Sequence, residues 1–386
     1  MGDIRQSGDG RTLSAFMSWT ETVLRLGLAL LFLYIFLVGV KSLETGISAF
    51  GSDFVDDVFS SVANPIAGLA AGVLATVLVQ SSSVTTATIV GLVGSGVLPV
   101  EVAVPMVMGA NIGTTVTNTL ASLGHVRQGA YFQRAFAAAT MHDYFNLLAV
   151  AVLLPLEVAF GLITKIATAI AGFVGDLLPA VNTGSSPIKS AIKVPVSWMT
   201  DLIESLGWTN AEGAILLGVG ISLIFVSLWM ITRQMKAVMS GRMENAINGV
   251  LGKGGGSAAM LVGMLMTVAV QSSSITTSIL VPLVAAGVLT LNNAFPVTLG
   301  ANIGTTVTAL LASIAAESPD ALVIAVAHVT FNVLGILIIY PWPKLRQIPL
   351  NLAERTAVAA VHKKWIVAVY VIGVFIVVPL AILFIA

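Results

Sequence analysis

The sequence lacks cysteine and has few charged residues. None of its 386 residues is cysteine, which excludes disulfides, iron–sulfur clusters, thiolate zinc sites and cysteine nucleophiles. Charged residues make up 9% of the chain, against about 25% in ordinary soluble domains, and 57% of it is hydrophobic. So few polar groups could not cover a soluble fold. The 18 basic residues balance 18 acidic ones, which argues against nucleic-acid binding. What remains is an all-α polytopic protein of the lipid bilayer.

Some apolar segments are long enough to cross a bilayer, which takes roughly 20 residues. They run from about Leu24 to Val40, Phe136 to Leu156, Ala214 to Ile231, Leu322 to Tyr340 and Trp365 to Ile385. Two further pairs of apolar segments are too short, and each pair is interrupted by Gln-Ser-Ser-Ser. We expect a re-entrant helical hairpin at each pair, at about 65–99 and 257–291. Irregular backbone occurs at membrane depth only where protein or a water-filled cavity surrounds it.

The positions of Lys and Arg predict the orientation, because cytoplasmic segments are enriched in both. Fourteen of the 18 basic residues lie in 1–25, 122–134, 232–253 and 341–364. This predicts a cytoplasmic N-terminal segment 1–21, repeats 22–156 and 214–340 joined by an extracytoplasmic connection 157–213, a cytoplasmic loop 341–364 and a C-terminal transmembrane helix 365–386. One hairpin then opens outward and the other inward, so the two repeats have inverted topology.

The two halves share an internal duplication. Residues 80–120 align without gaps on 271–311, with 24 of 41 positions identical. Gln-Ser-Ser-Ser-x-Thr-Thr begins at Gln80 and Gln271, Gly-Ala-Asn-Ile-Gly-Thr-Thr-Val-Thr occupies 109–117 and 300–308, and His-x-x-Phe-Asn begins at His142 and His328. We expect each repeat to contain a re-entrant hairpin and a broken helix. Interrupted segments at matching positions of inverted repeats indicate the binding site of a secondary transporter.

The interruptions carry groups that suit an oxyanion. Hydroxyls and side-chain amides donate hydrogen bonds, and the helix that restarts after each serine run directs free N–H groups at the interruption. Residues 42–126 and 254–343 contain no Lys or Arg, so a bound anion would need mobile cations to balance its charge. Neutral oxygens could bind Na⁺ there, at Asn111, Thr114 and Thr117 and at the equivalent Asn302, Thr305 and Thr308. The structural alternative is that the hydroxyls bond to carbonyls one turn earlier and the glycines pack helices.

Asp143 is the one acidic residue well inside a predicted span. Carboxylates at membrane depth are costly, which makes Asp143 a functional candidate, with a hydrogen bond to the neighbouring His142 as the structural alternative. For His142 and His328 we favour packing and hydrogen bonding over metal binding. We expect no cofactor, with Na⁺ only as a coupling ion.

With these motifs, the chain resembles the type II sodium-dependent phosphate cotransporters over most of residues 25–385. The resemblance also rests on Phe-Gln-Arg-Ala-Phe at 132–136, the segment 139–146 and Leu-Leu-Pro-Leu-Glu at 153–157. It implies an electrogenic symporter that binds HPO₄²⁻ between the serine runs, at Gln80, Ser81, Ser82, Ser83, Ser272, Ser273 and Ser274. It implies sodium ligands at Gln271, Ser272, Thr305 and Thr308, and an additional sodium at Asp143.

Vertebrate members of that family carry a long disulfide-bonded loop between the halves. Residues 157–213 are shorter and contain no cysteine, so we expect a bacterial plasma-membrane protein. Three alternatives remain: a sodium symporter of sulfate or a dicarboxylate, an anion channel, and an intramembrane serine hydrolase using Ser82, His142 and Asp143. The hydrolase is disfavoured because the sequence contains no Gly-x-Ser-x-Gly turn, and we expect a transporter that is not an enzyme.

Overall fold

The computed structural model describes residues 9–50, 64–177, 187–239, 246–247, 249, 255–316 and 318–385, which are nearly all helical and include no β-strand. The helices are α1 Asp9–Ser48, α2 Pro65–Val79, α3 Ser82–Gly94, α4 Val100–Gly113, α5 Val116–Ser122, α6 Gly129–Phe160, α7 Leu162–Leu177, α8 Pro187–Ser205, α9 Glu212–Met239, α10 Gly256–Val270, α11 Ser273–Ala285, α12 Leu291–Ala315, α13 Pro319–Ile339, α14 Pro343–His362, α15 Trp365–Ile372 and α16 Val378–Ile385. A π-helical turn, Gly373–Val377, joins the last two into one continuous helix.

Six helical segments are long and apolar enough to cross a membrane: Trp19–Ser48, Gly129–Phe160, Thr209–Met239, Leu291–Ala315, Pro319–Ile339 and Trp365–Ile385. Each of the five predicted spans coincides with one of them. Leu291–Ala315 was not predicted, because asparagines and threonines interrupt its apolar sequence. These helices are those of a multi-pass membrane protein.

The serine runs interrupt the helices where the sequence predicts. Helix α2 ends at Val79 and α3 begins at Ser82, while α10 ends at Val270 and α11 begins at Ser273. With 15 or 13 residues, each of the four is about 20 Å long, shorter than the roughly 30 Å hydrocarbon core.

A left-handed glutamine closes the first helix of each pair. Gln80 and Gln271 both have φ of 56°, and they are the only non-glycine residues with positive φ in the described ranges. Their N–H groups bond the carbonyls of Thr76 and Thr267 at 2.8 and 2.7 Å, which ends the preceding helix. The backbone therefore turns in the same way in both halves.

Both halves also pack their helices through glycine. A Cβ atom on Gly72 would lie 1.9 Å from the carbonyl oxygen of Met106, and 191 positions later one on Gly263 would lie 2.0 Å from that of Val297. The contact is also made from the facing helix, by Gly109 and Gly300. Backbone contact therefore holds α2 against α4 and α10 against α12, as small residues do between membrane helices. The packing role considered for Gly109 and Gly300 is confirmed.

A broken helix at the repeated Gly-Ala-Asn patch is observed in the first half only. Helix α4 ends at Gly113 and α5 begins at Val116. Helix α12 passes through the equivalent residues 300–308 without interruption. Of the two breaks expected at these patches, the second is therefore wrong.

The segments predicted as connections contain helices. The connection 157–213 includes α7 and α8, and the loop 341–364 is mostly α14, which packs along α6. Helix α8 contacts α1, where the Tyr34 hydroxyl donates to the carbonyl of Ala191 at 2.9 Å. The carboxylate of Glu157 accepts the N–H of Ile163 at 2.6 Å and fixes the start of α7. Residues 1–8, 178–186 and most of 240–254, which the predicted path includes, lie outside the described residues.

Candidate functional site

The two serine runs meet. The hydroxyl of Ser83 donates to the backbone carbonyl of Gln271 at 3.3 Å, across 188 positions of sequence. The hydroxyl of Thr308 lies 3.5 Å from that of Ser83. Ser82, Ser83 and Ser273 are buried, whereas Ser81, Ser272 and Ser274 are partly exposed. The tips of both helix pairs therefore lie side by side.

A cavity of about 250 Å³ lies between these tips. Gln80 and Ser81 line it from the first half, and Gln271 and Ser272 line it from the second. Since one water takes about 30 Å³ of liquid volume, the cavity has room for a small hydrated anion. Its remaining lining residues are Val79, Val84, Phe225, Leu228, Trp229 and Thr232.

The wall formed by α9 was not predicted. Phe225, Trp229 and Thr232 lie in an ordinary apolar span outside the duplicated patches, and nothing in their spacing marks them as part of a site. No lining residue is charged. The guanidinium carbon of Arg233 lies 5.5 Å from the ring centroid of Trp229, so one fixed cation stands beside the wall.

The predicted phosphate ligands divide into two groups. Gln80, Ser81 and Ser272 line the cavity, together with Gln271. The others are not among its lining residues: Ser82, Ser83, Ser273 and Ser274. The carbonyls of Ser82 and Ser273 accept hydrogen bonds, each at 2.8 Å, from Thr86 and Thr277. The structural alternative, bonding back by one turn, therefore holds for these motif threonines.

The predicted sodium ligands differ in what they already bond. Thr117 donates to Gln80 and Thr308 to Gln271, while Thr114 donates to the carbonyl of Ala110 at 2.9 Å. The hydroxyl of Thr305, equivalent to Thr114, is buried and has no hydrogen-bond partner. Of these four threonines, Thr305 alone presents a buried hydroxyl oxygen that no protein group uses.

The predicted asparagines belong to a buried network that joins three helices. His142 Nε2 lies 2.5 Å from Asn302 Oδ1, the amide of Asn302 donates to Asn146 Oδ1 at 2.8 Å, and the amide of Asn146 donates to the carbonyl of Asn111 at 2.8 Å. The network connects α6 to α12 and α4. Hydrogen bonding is therefore the observed role of His142. The second echo differs, since both ring nitrogens of His328 are buried without a partner.

Asp143 is completely buried on α6. Its Oδ2 accepts hydrogen bonds from Thr119 at 3.1 Å and from Tyr370 at 2.9 Å. The hydroxyl of Thr115 lies close to the carboxylate but donates to the carbonyl of Ile112, and Asp143 Oδ1 has no hydrogen-bond partner. The pairing with His142 considered from the sequence is not formed. One carboxylate oxygen is therefore buried and unused.

Asp143 stands apart from the cavity between the tips, which it does not line. Helix α5 connects the two places: Thr119 bonds Asp143, and the amide of Asn118 donates to the hydroxyl of Thr277 on α11 at 2.5 Å. Neither Asn118 nor Tyr370 was predicted. The hydrolase constellation is not formed either, because His142 bonds Asn302 and Asp143 bonds other hydroxyls.

Comparison with known proteins adds independent information. The family described as Na+/Pi-cotransporter matches residues 35–175 and 223–348. Sodium-dependent phosphate transport protein 2A of Ovis aries is 34% identical over 429 residues, which cover 93% of this chain and 67% of that protein. Sodium-dependent phosphate transport protein 2B of Homo sapiens is 33% identical over 461 residues, 97% of this chain and 66% of that protein. No solved structure matches. This chain therefore belongs to the Na+/Pi-cotransporter family.

Proposed function

We propose that this protein is a secondary active symporter that couples the inward flux of Na⁺ to uptake of inorganic phosphate. Membership of the family and the names of the relatives support this substrate pair. The observation that carries the proposal is the cavity between two interrupted helix pairs, lined by Gln80 and Ser81 on one side and by Gln271 and Ser272 on the other. Such a cavity is typical of a transporter site.

Phosphate, as HPO₄²⁻, binds in this cavity. The amide and hydroxyl groups of its lining residues donate hydrogen bonds to the phosphate oxygens. Helices α3 and α11 begin at Ser82 and Ser273, so the free N–H groups of their first turns face the tips and favour an anion. Ser82, Ser83, Ser273 and Ser274 shape the turns behind these donors.

Sodium supplies the positive charge that the lining of the cavity lacks. Its ligands are Gln271, Ser272, Thr305 and Thr308, with Asn302 and the equivalent Asn111, Thr114 and Thr117 offering further oxygens. The unpartnered buried hydroxyl of Thr305 supports this assignment, since a buried polar atom without a partner is costly. Arg233, beside Trp229, adds a fixed charge outside the lining.

Asp143 binds a further sodium through its unpartnered Oδ1, which makes transport electrogenic. Three Na⁺ with one HPO₄²⁻ carry a net charge of +1. Moving one charge across 100 mV is worth about 2.3 kcal/mol, and a tenfold sodium gradient adds about 1.4 kcal/mol per ion. The third sodium would therefore contribute both voltage and gradient energy to phosphate accumulation.

The two halves act as inverted repeats with re-entrant hairpins and work by alternating access. The same glycine contacts recur 191 positions apart, which supports a common architecture. The distribution of Lys and Arg supports opposite orientations, a cytoplasmic N-terminus and residence in the plasma membrane.

The test is simultaneous measurement of current and radiolabelled phosphate uptake in proteoliposomes. We expect accumulation driven by a sodium gradient, with one positive charge moved per phosphate. Downhill flux that is indifferent to sodium would indicate a channel. Sodium-driven uptake of sulfate or a dicarboxylate that phosphate does not inhibit would overturn the assignment of the anion.

A further inference from the structure

The last helix of the chain reaches the buried carboxylate of Asp143. The continuous helix Trp365–Ile385 lies outside the internal duplication and outside the ranges matched by the family, 35–175 and 223–348. We infer that Tyr370, on this helix, is a positioning residue: together with Thr119 it holds Asp143 so that Oδ1 is presented to a sodium ion. The inference rests on the proposed function, because it takes Asp143 to be a sodium ligand.

Both donors bond the same carboxylate oxygen. The Tyr370 hydroxyl lies 2.9 Å from Asp143 Oδ2, and the Thr119 hydroxyl lies 3.1 Å from it. They approach from different helices, so together they fix the rotation of the carboxylate. Oδ1 is left buried and without a hydrogen bond. A carboxylate fixed in this way offers one free oxygen at a defined place, which suits a hard cation.

Tyr370 is itself held by an aromatic cluster. Its ring lies 6.1 Å from that of Phe136 and 5.9 Å from that of Tyr144, both on α6, and 6.3 Å from that of Phe375 on its own helix. The rings of Phe136 and Phe375 meet it edge to face, which is a favourable arrangement. The hydroxyl therefore has little freedom to leave Asp143.

The π-helical turn aligns this cluster. Five residues separate Tyr370 from Phe375, and in a regular α-helix they would point about 140° apart. The turn Gly373–Val377 is π-helical, and its i to i+5 bonding brings such residues onto one face. Tyr370 and fully buried Phe375 can then pack together, although most of the helix is exposed. The irregular turn thus serves the contact at Asp143.

The test compares Tyr370→Phe with Tyr144→Phe. The two tyrosines belong to the same aromatic cluster, but the Tyr144 hydroxyl bonds Thr356 at 2.5 Å and not Asp143. Phosphate uptake into proteoliposomes is measured against sodium concentration, and the phosphate KM is measured at saturating sodium. Tyr370→Phe should raise the half-saturating sodium concentration about tenfold and leave that KM unchanged, since it removes one hydrogen bond to a charged group. Tyr144→Phe should behave as wild type.

A second readout uses binding without transport. Sodium raises the Tm of the purified wild-type protein relative to choline, and Tyr370→Phe should reduce this increase while Tyr144→Phe retains it. In an Asp143→Gly background, Tyr370→Phe should change nothing further, because the residue acts through the carboxylate. Wild-type sodium dependence in Tyr370→Phe, or an equal loss in both tyrosine variants, would overturn the inference.

Failure of the inference and failure of the proposed function are distinguishable. If the wild-type protein takes up phosphate with sodium and Tyr370→Phe does the same with unchanged affinity, only the inference fails. If the wild type shows no sodium-driven phosphate uptake, the proposed function fails. Should Tyr370→Phe not fold, Thr119→Val removes the other donor to Oδ2, and unchanged sodium dependence in that variant would also overturn the inference.

Discussion

Thr308 donates a hydrogen bond to the side-chain carbonyl of Gln271 at 2.8 Å, and Thr117 donates the equivalent bond to Gln80 at 3.1 Å. Both glutamines also donate their amides to the carbonyl three residues earlier. The bonds are repeated but the surroundings are not: Gln271 and Thr308 are buried, whereas Gln80 is exposed. The two halves therefore hold the same pair in different environments.

Replacing Thr308 with Val should impair transport much more than replacing Thr117 with Val. The first substitution leaves the buried carbonyl of Gln271 without its donor, at a cost of about 1–3 kcal/mol, whereas water can replace the donor at Gln80. We expect the half-saturating sodium concentration to rise at least tenfold in Thr308→Val and less than threefold in Thr117→Val. Equal effects in sodium-dependent phosphate uptake would show that burial does not distinguish the pairs.

Adding a methyl group where the helices touch should destabilise the fold. Gly72→Ala and Gly263→Ala place a Cβ about 2 Å from a backbone oxygen, which no side-chain rotation relieves. We expect each to cost at least about 1–3 kcal/mol, the usual range for overpacking, and to lower the Tm measured in detergent. Gly218→Ala is the matched control, because no atom lies within 4 Å of its new methyl group. A Tm as low for the control would contradict the assignment of these contacts.

The asparagine network should contribute more to stability through Asn302 than through Asn332. Asn302→Ala leaves both Asn146 Oδ1 and His142 Nε2 without their partners, at about 1–3 kcal/mol for each buried group. The Oδ1 of Asn332 has no partner, and its amide bonds only the carbonyl of His328 in the same helix. The Tm of purified Asn302→Ala should therefore fall further below wild type than that of Asn332→Ala, and the reverse order would contradict the network.

The sequence was sufficient for the features that repeat. The duplicated Gln-Ser-Ser-Ser and Gly-Ala-Asn patches located both interruptions, and the glycine contacts reproduce their spacing of 191 residues. Long apolar runs located five of the six possible spans. Local composition determines these elements, since a helix in lipid must satisfy its backbone within itself.

The rest of the site depends on contacts between distant segments. Trp229 and Tyr370 lie in plain apolar spans, and only tertiary packing brings one to the cavity and the other to Asp143. The break between α4 and α5 likewise has no counterpart in α12, although residues 109–117 and 300–308 are identical. Because the same nine residues adopt two backbone forms, the surroundings must select between them.

Arg233 should affect the affinity for phosphate and not the coupling to sodium. Its guanidinium lies over Trp229, a lining residue of the cavity, so its charge should attract an anion to that wall. Arg233→Gln should raise the phosphate KM several-fold at low ionic strength, and the difference should shrink as salt screens the charge. Arg346→Gln is the control, since Arg346 lies over Tyr340 at a similar 5.3 Å but lines no part of the cavity. A phosphate KM unchanged by Arg233→Gln, at constant sodium, would mean that sodium alone balances the charge of the bound anion.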